Sequence, residues 1–214
     1  MDNAVWVPLL GIMGAVAGAS MSAVTRHALT VEPPSWWTSP VTGGGATAVL
    51  IVMVTLWLPW NAELAVFSAL AVFSVPLVVI DIAEHRLPTA LLGSCFVTTT
   101  AILVVTAWVR ADLISAARSV AASIAVTALL LLVALLSGGG LGAGDVKLGG
   151  VLGLLSGWVS WSTPVLTLLA ATTGAAVLLA CRAAISRRWS SSPMAFGPFL
   201  LAGVYTALVF QVPT

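Results

Sequence analysis

Long stretches without a single charge follow one another along almost the whole chain. They run over 3–25, 33–62, 64–80, 87–109, 119–144, 148–181 and 189–214. A helix needs about 20 apolar residues to cross a hydrocarbon layer about 30 Å thick, and most of these stretches have that length. Only 7% of the 214 residues are charged and 60% are hydrophobic, where a soluble domain carries about 25% charged residues. That much apolar surface cannot be enclosed in one core of this size. A soluble globular enzyme, a disordered chain and a basic nucleic-acid binder are therefore excluded. The expected fold is all-α, a polytopic membrane protein of about eight transmembrane helices, with six or seven as fallback counts. The lipid bilayer is its first partner.

Two stretches need division. In 33–62 the first part holds Trp36-Trp37, Pro40 and Gly43-Gly44-Gly45, which reads as loop, leaving a helix of roughly 46–60. The stretch 148–181 would be about 50 Å long as one helix, too long for one crossing. Trp161-Ser162-Thr163-Pro164 breaks it, because proline sits well at a helix start. Two short helices follow, near 147–161 and 164–181. With eight alternating spans, one side receives Arg26, Arg86, Lys147, Arg182, Arg187 and Arg188, and the other only Arg110 and Arg118. The positive-inside rule makes the first side cytoplasmic. Trp6, Trp57, Trp60, Trp108, Trp158 and Trp161 then fall near the outer interface, as an aromatic belt. No basic region precedes the first span and Asp2 has the wrong sign for a signal peptide, so an uncleaved first helix is expected. The whole chain reads as one membrane domain, with cytoplasmic connections near 25–45, 81–88, 138–146 and 182–194.

The acidic residues carry the chemistry. Asp2, Glu63 and Asp112 belong to outer ends, and Glu32 and Glu84 to cytoplasmic turns, where water solvates them. Asp81 closes the apolar run Val75-Pro76-Leu77-Val78-Val79-Ile80, and Asp145 follows Gly138-Gly139-Gly140-Leu141-Gly142-Ala143-Gly144. Both are expected at one membrane depth on one side. A carboxylate at the edge of hydrocarbon is costly, and a functional role is the default hypothesis for it. The competing reading is a solvated helix end, and Asp145 at a helix N-terminus fits that electrostatically as well. Two carboxylates at one depth, one beside a glycine run, favour function. Two such groups close together share a proton. The ionised one can take a proton from water while the neutral one donates to a peptide carbonyl. That is aspartic protease chemistry. Glycine-rich backbone at this depth can also offer N–H and C=O groups to an extended peptide. No G-x-S-x-G, H-E-x-x-H or C-x-x-C occurs, so neither a metal nor a cofactor is expected. The alternative function is a proton- or cation-coupled transporter using the same two aspartates.

At this point the residues resemble a known family. Gly142-Ala143-Gly144-Asp145-Val146-Lys147 matches the G-x-G-D-x-K signature of prepilin peptidases, the type IV leader peptidases. Asp81 followed by Leu87-Pro88 resembles that family's first aspartate and its L-P segment. Gly14 to Arg26 resembles its first span, and Phe196-Gly197-Pro198 its last-span F-G-P. The resemblance implies a membrane aspartic endopeptidase of the inner or plasma membrane, acting at the cytoplasmic face on the short basic leaders of prepilins and pseudopilins. It makes Asp81 and Asp145 the catalytic pair, with Gly142, Gly144, Lys147, Glu84 and Arg86 as candidate substrate-binding residues. Lys147 reads equally as a snorkelling interfacial lysine, and Glu84 and Arg86 as a solvated turn. The longer bacterial members carry paired C-x-x-C motifs in a cytoplasmic domain after the first span. Here that position holds only Arg26 to Gly45, without cysteine.

Overall fold

The computed structural model describes residues 3–31, 33–59, 61–138, 140–186 and 194–211. Asp2, Glu32, Trp60, Arg187 and Arg188 lie outside the described residues. Among the described residues eight α-helices follow in chain order: α1 (Asn3–Ala28), α2 (Pro40–Trp57), α3 (Ala62–Glu84), α4 (Thr89–Arg110), α5 (Leu113–Leu136), α6 (Ala143–Val159), α7 (Ser162–Ser186) and α8 (Gly197–Gln211). Among the described residues six of them, α1 to α5 and α7, are long and apolar enough to cross a membrane, and α8 is a shorter apolar helix. The protein is an all-α polytopic membrane protein. The break at Trp161-Ser162 separates α6 from α7, where Ser160 accepts the Thr163 N–H at 3.2 Å.

The chain divides into two compact units, Met1–Ala116 and Ala117–Thr214, with the boundary in the first turn of α5.

In the first unit, α1 and α2 pack through small residues. A Cβ on Gly14 would sit 2.7 Å from the Ile51 side chain, and one on Gly44 would sit 2.7 Å from the Ala15 carbonyl oxygen. A Cβ on Gly18 would collide with Thr47 and the Gly43 carbonyl. Small residues let helix backbones approach where lipid gives no hydrophobic drive for association. This corrects the loop reading of Gly43-Gly44-Gly45. The three are helical because Ser39 caps α2, its hydroxyl accepting the Val41 N–H at 3.2 Å, and Pro40 opens the first turn. Close packing outweighs the weak helix propensity of glycine. At the far ends of α3 and α4, Asn61 caps α3 by accepting the Leu64 N–H at 3.2 Å, and Arg110 pairs with Glu63 at 3.3 Å.

In the second unit, α6 is buried from Asp145 to Trp158, Lys147 excepted. Its glycines Gly149, Gly153 and Gly157 recur every four residues along one stripe and meet α5. A Cβ on Gly153 would lie 2.9 Å from the Ala122 carbonyl oxygen and 3.0 Å from the Ser123 Cα. Hydroxyls on α5 reinforce the pair: Ser123 donates to the Gly150 carbonyl at 2.8 Å, and Ser119 donates to that of Leu154. Trp158 is only 4% exposed, so it packs inside the protein instead of joining a lipid-facing belt. On the other side of the unit, Gly203 of α8 sits against the Thr167 carbonyl and Ala171 of α7.

Arg118 closes the C-terminus of α6. Its guanidinium donates to the carbonyls of Gly157 at 2.6 Å and Val159 at 3.3 Å, and to that of Trp158. The last carbonyls of a helix have no partner within it and carry the negative end of its dipole. Arg118→Gln should therefore lower stability by about 2 kcal/mol, the range of hydrogen bonds from a charged donor. Thermal unfolding in detergent measures it, and an unchanged midpoint contradicts it.

Candidate active site

Asp81 does not end α3. It sits one turn before the end, and it is only 4% exposed. The helix stops because His85 adopts a left-handed conformation, φ 50° and ψ 36°, with its N–H donating to the Asp81 carbonyl at 2.8 Å. Leu87 is then buried and Pro88 stands at the N-cap of α4, its fixed φ of −61° leading into the next helix. The Leu87-Pro88 pair thus anchors the turn that follows Asp81.

Glu84 and Arg86 secure the same turn. The Glu84 carboxylate accepts the Val31 N–H at 3.0 Å and the Thr30 hydroxyl at 2.8 Å, and also the Thr30 N–H. Arg86 pairs with Glu84 and donates to the Ala28 carbonyl at 2.9 Å. The Glu84 side chain is 4% exposed and that of Arg86 47%. Together they fasten the start of the α1–α2 connection to the end of α3. Sequence reading offers them as leader contacts or as a solvated turn, and neither anticipates this internal staple. Glu84→Gln keeps the shape but removes the charge from four bonds. The unfolding midpoint should fall by about 2–4 °C, the shift that about 1 kcal/mol makes in a chain of this size. An unshifted midpoint counts against the staple.

Asp145 stands in the first turn of α6 and is 8% exposed. Gly142 is the N-cap, and its carbonyl accepts the Asp145 N–H at 3.1 Å and that of Val146 at 3.3 Å. A Cβ at Gly142 would lie 3.3 Å from an Asp145 carboxylate oxygen, so glycine there leaves the carboxylate uncrowded. Gly138 takes a left-handed φ of 60° in the turn that leaves α5. Gly144 is half-buried in the first turn of α6, and Lys147 is exposed one turn further on. Phe196-Gly197-Pro198 opens α8, with Phe196 accepting the Phe199 N–H at 3.0 Å, and Phe199 lies against Gly174 of α7.

Asp81 and Asp145 are thus two buried acids, each held within its own compact unit. Among the described residues no group of three or more His, Cys, Asp and Glu side chains could hold a metal. Sequence reading missed the α6 glycine stripe, the Arg118 closure and the Glu84 staple. The four-residue glycine spacing was a usable signal for the first of these, whereas the partners of Arg118 and Glu84 are distant in sequence.

No solved structure matches the chain. A 75-residue segment is 41% identical to the prepilin leader peptidase/N-methyltransferase of Burkholderia pseudomallei strain 1026b, covering 35% of this chain and 23% of that protein. The same figures hold for the protein of that name in strain K96243. The match therefore spans less than a quarter of the length of these curated relatives. Residues 68–179, just over half of the chain, match the type IV leader peptidase family. That segment contains Asp81, Leu87-Pro88 and the Gly142–Lys147 signature, and the chain belongs to the type IV leader peptidase family.

Proposed function

We propose that the protein is a membrane aspartic endopeptidase that removes the leader of type IV prepilin-like proteins at the cytoplasmic face of the inner or plasma membrane. One observation carries this reading: the family segment 68–179 includes both Asp81 and Asp145, and each is buried in a chain that has few other acids. In this reading α4 and α5, both long and apolar enough to span, make two successive crossings, which is what it requires for the two aspartates to share a side. The excess of arginine and lysine assigns that side to the cytoplasm. A basic leader presented there would meet the two carboxyl groups.

In this mechanism the two carboxyl groups hold one proton between them. The ionised one removes a proton from a bound water, whose oxygen attacks the scissile carbonyl carbon. The neutral one donates its proton to the carbonyl oxygen. As the tetrahedral intermediate collapses and the C–N bond breaks, the carboxyl that took the water's proton gives it to the leaving nitrogen and the other carboxylate takes back the proton of one hydroxyl, which restores the starting dyad. The pair titrates as a unit, so the roles of base and acid belong to the dyad. Gly142 and Gly144 leave backbone accessible to an extended substrate.

The test is to incubate detergent-purified protein with a peptide carrying a short basic leader followed by an apolar segment, and to identify the products by mass spectrometry. Cleavage at one bond at the leader boundary is expected. An intact peptide, with proton or cation flux in proteoliposomes that depends on the same aspartates, would overturn the peptidase reading in favour of transport.

A further inference from the structure

The connection between α1 and α2 encloses an open cavity of about 490 Å³. Its walls include Arg26, the hydroxyl residues Thr30, Ser35 and Thr38, and the apolar Leu29 and Pro33. The volume falls within the range of small-molecule sites, about 300–1,000 Å³. Arg26 belongs to the last turn of α1 and its guanidinium donates to the Thr38 carbonyl at 2.7 Å. That bond orients the head group while using one of its five N–H donors. Among the described residues Arg26 is the charged side chain of the wall. The neighbouring carboxylate of Glu84 is occupied by the N–H groups of Thr30 and Val31 and by Arg86, so its charge is already compensated.

The surroundings indicate the ligand. The cavity lies where α1, a helix long enough to span a bilayer, ends. Trp36 and Trp37 stand edge to face beside it, ring centroids 5.8 Å apart, and Trp36 is 63% exposed. Exposed tryptophan next to a basic residue at a span's end marks the headgroup layer. The Thr30 hydroxyl is given to Glu84 and that of Thr38 to the Ser35 carbonyl at 3.5 Å, so the Arg26 guanidinium and the Ser35 hydroxyl are the donors that suit a phosphate, since Arg grips phosphate oxygens with paired donors. A basic leader would be repelled by the same arginine.

We propose that this cavity binds the phosphate of an anionic membrane phospholipid. The inference does not rest on the peptidase reading.

Native mass spectrometry of the full detergent-purified chain, titrated with phosphatidylglycerol or with phosphatidylcholine of the same acyl chains, tests it. Phosphatidylglycerol should be retained selectively. Arg26→Gln should weaken its apparent affinity about tenfold, which is the loss of about 1.4 kcal/mol. Ser35→Phe fills the cavity without touching the charge, and should weaken it comparably. Bound phosphatidylglycerol should also raise the unfolding midpoint of the wild-type chain more than that of Ser35→Phe, because a ligand of the native state stabilises it. Equal retention of the two lipids would overturn the proposal, as would unchanged affinity in Ser35→Phe. Displacement of the lipid by an equal concentration of inorganic phosphate would show a site for soluble phosphate and overturn the lipid assignment.

Discussion

Asp81→Asn and Asp145→Asn are each expected to lower the rate of leader cleavage by about a thousandfold or more, within or above the range of general acid–base catalysis. Asparagine has nearly the volume of aspartate but can neither hold nor take the shared proton. The amide fills the same buried space, so each variant should accumulate in the membrane like the wild type. The double variant should be hardly slower than either single one, because residues that act as a unit give strongly non-additive losses. Peptide cleavage followed by mass spectrometry measures all three. Full activity in either single variant would remove the aspartates from the chemistry. Losses that multiply in the double variant would show two independent groups instead of one dyad.

Gly153→Leu should severely damage packing in the second unit, where α5 meets α6. Even a Cβ at this position would lie 2.9 Å from the Ala122 carbonyl oxygen. The obstacle is α5 backbone, which cannot rotate away as a side chain can. Separating α5 from α6 would also break the Ser119 and Ser123 bonds to α6 carbonyls. The expected cost is about 3 kcal/mol, at the upper end for overpacking, and a large share of a typical total stability of about 5–15 kcal/mol. Gly93→Ala is the control. Nothing lies within 4 Å of a Cβ there, and alanine in a helix interior should add about 0.5–1 kcal/mol. Unfolding midpoints compare the two, and equal midpoints would contradict the close α5–α6 contact.

How far these features were legible from the sequence depends on the range of the interactions behind them. Charge-free runs are set by the thickness of hydrocarbon, so the helices and the break before Ser162 could be read directly. The position of Asp145 was legible because Gly142 and the first turn of α6 are local to it. Asp81 was harder. Its apolar run ends at Ile80, yet α3 continues to Glu84, because the last turn is capped by His85 and stapled by Glu84 to residues some fifty positions earlier. The helical state of Gly43-Gly44-Gly45 was hidden for a similar reason. Local propensity disfavours a helix there, and the compensating contact comes from Ala15 and Gly18 on α1. The division into two compact units left no mark in composition, since the boundary falls inside an apolar helix.

A cross-linking measurement tests most directly the claim that Asp81 and Asp145 form one centre. Cys95 and Cys181, the free cysteines among the described residues, are first replaced by alanine. Cysteines are then placed by Asp81→Cys and Asp145→Cys, and the membranes are treated with the shortest bis-methanethiosulfonate linker. Trypsin can cut between the two positions after Arg86, Arg110 and Arg118. A common centre predicts that the fragments bearing the two cysteines stay joined after digestion until a reductant is added. Fragments that separate without reductant, in protein whose two thiols are both modified, would contradict it.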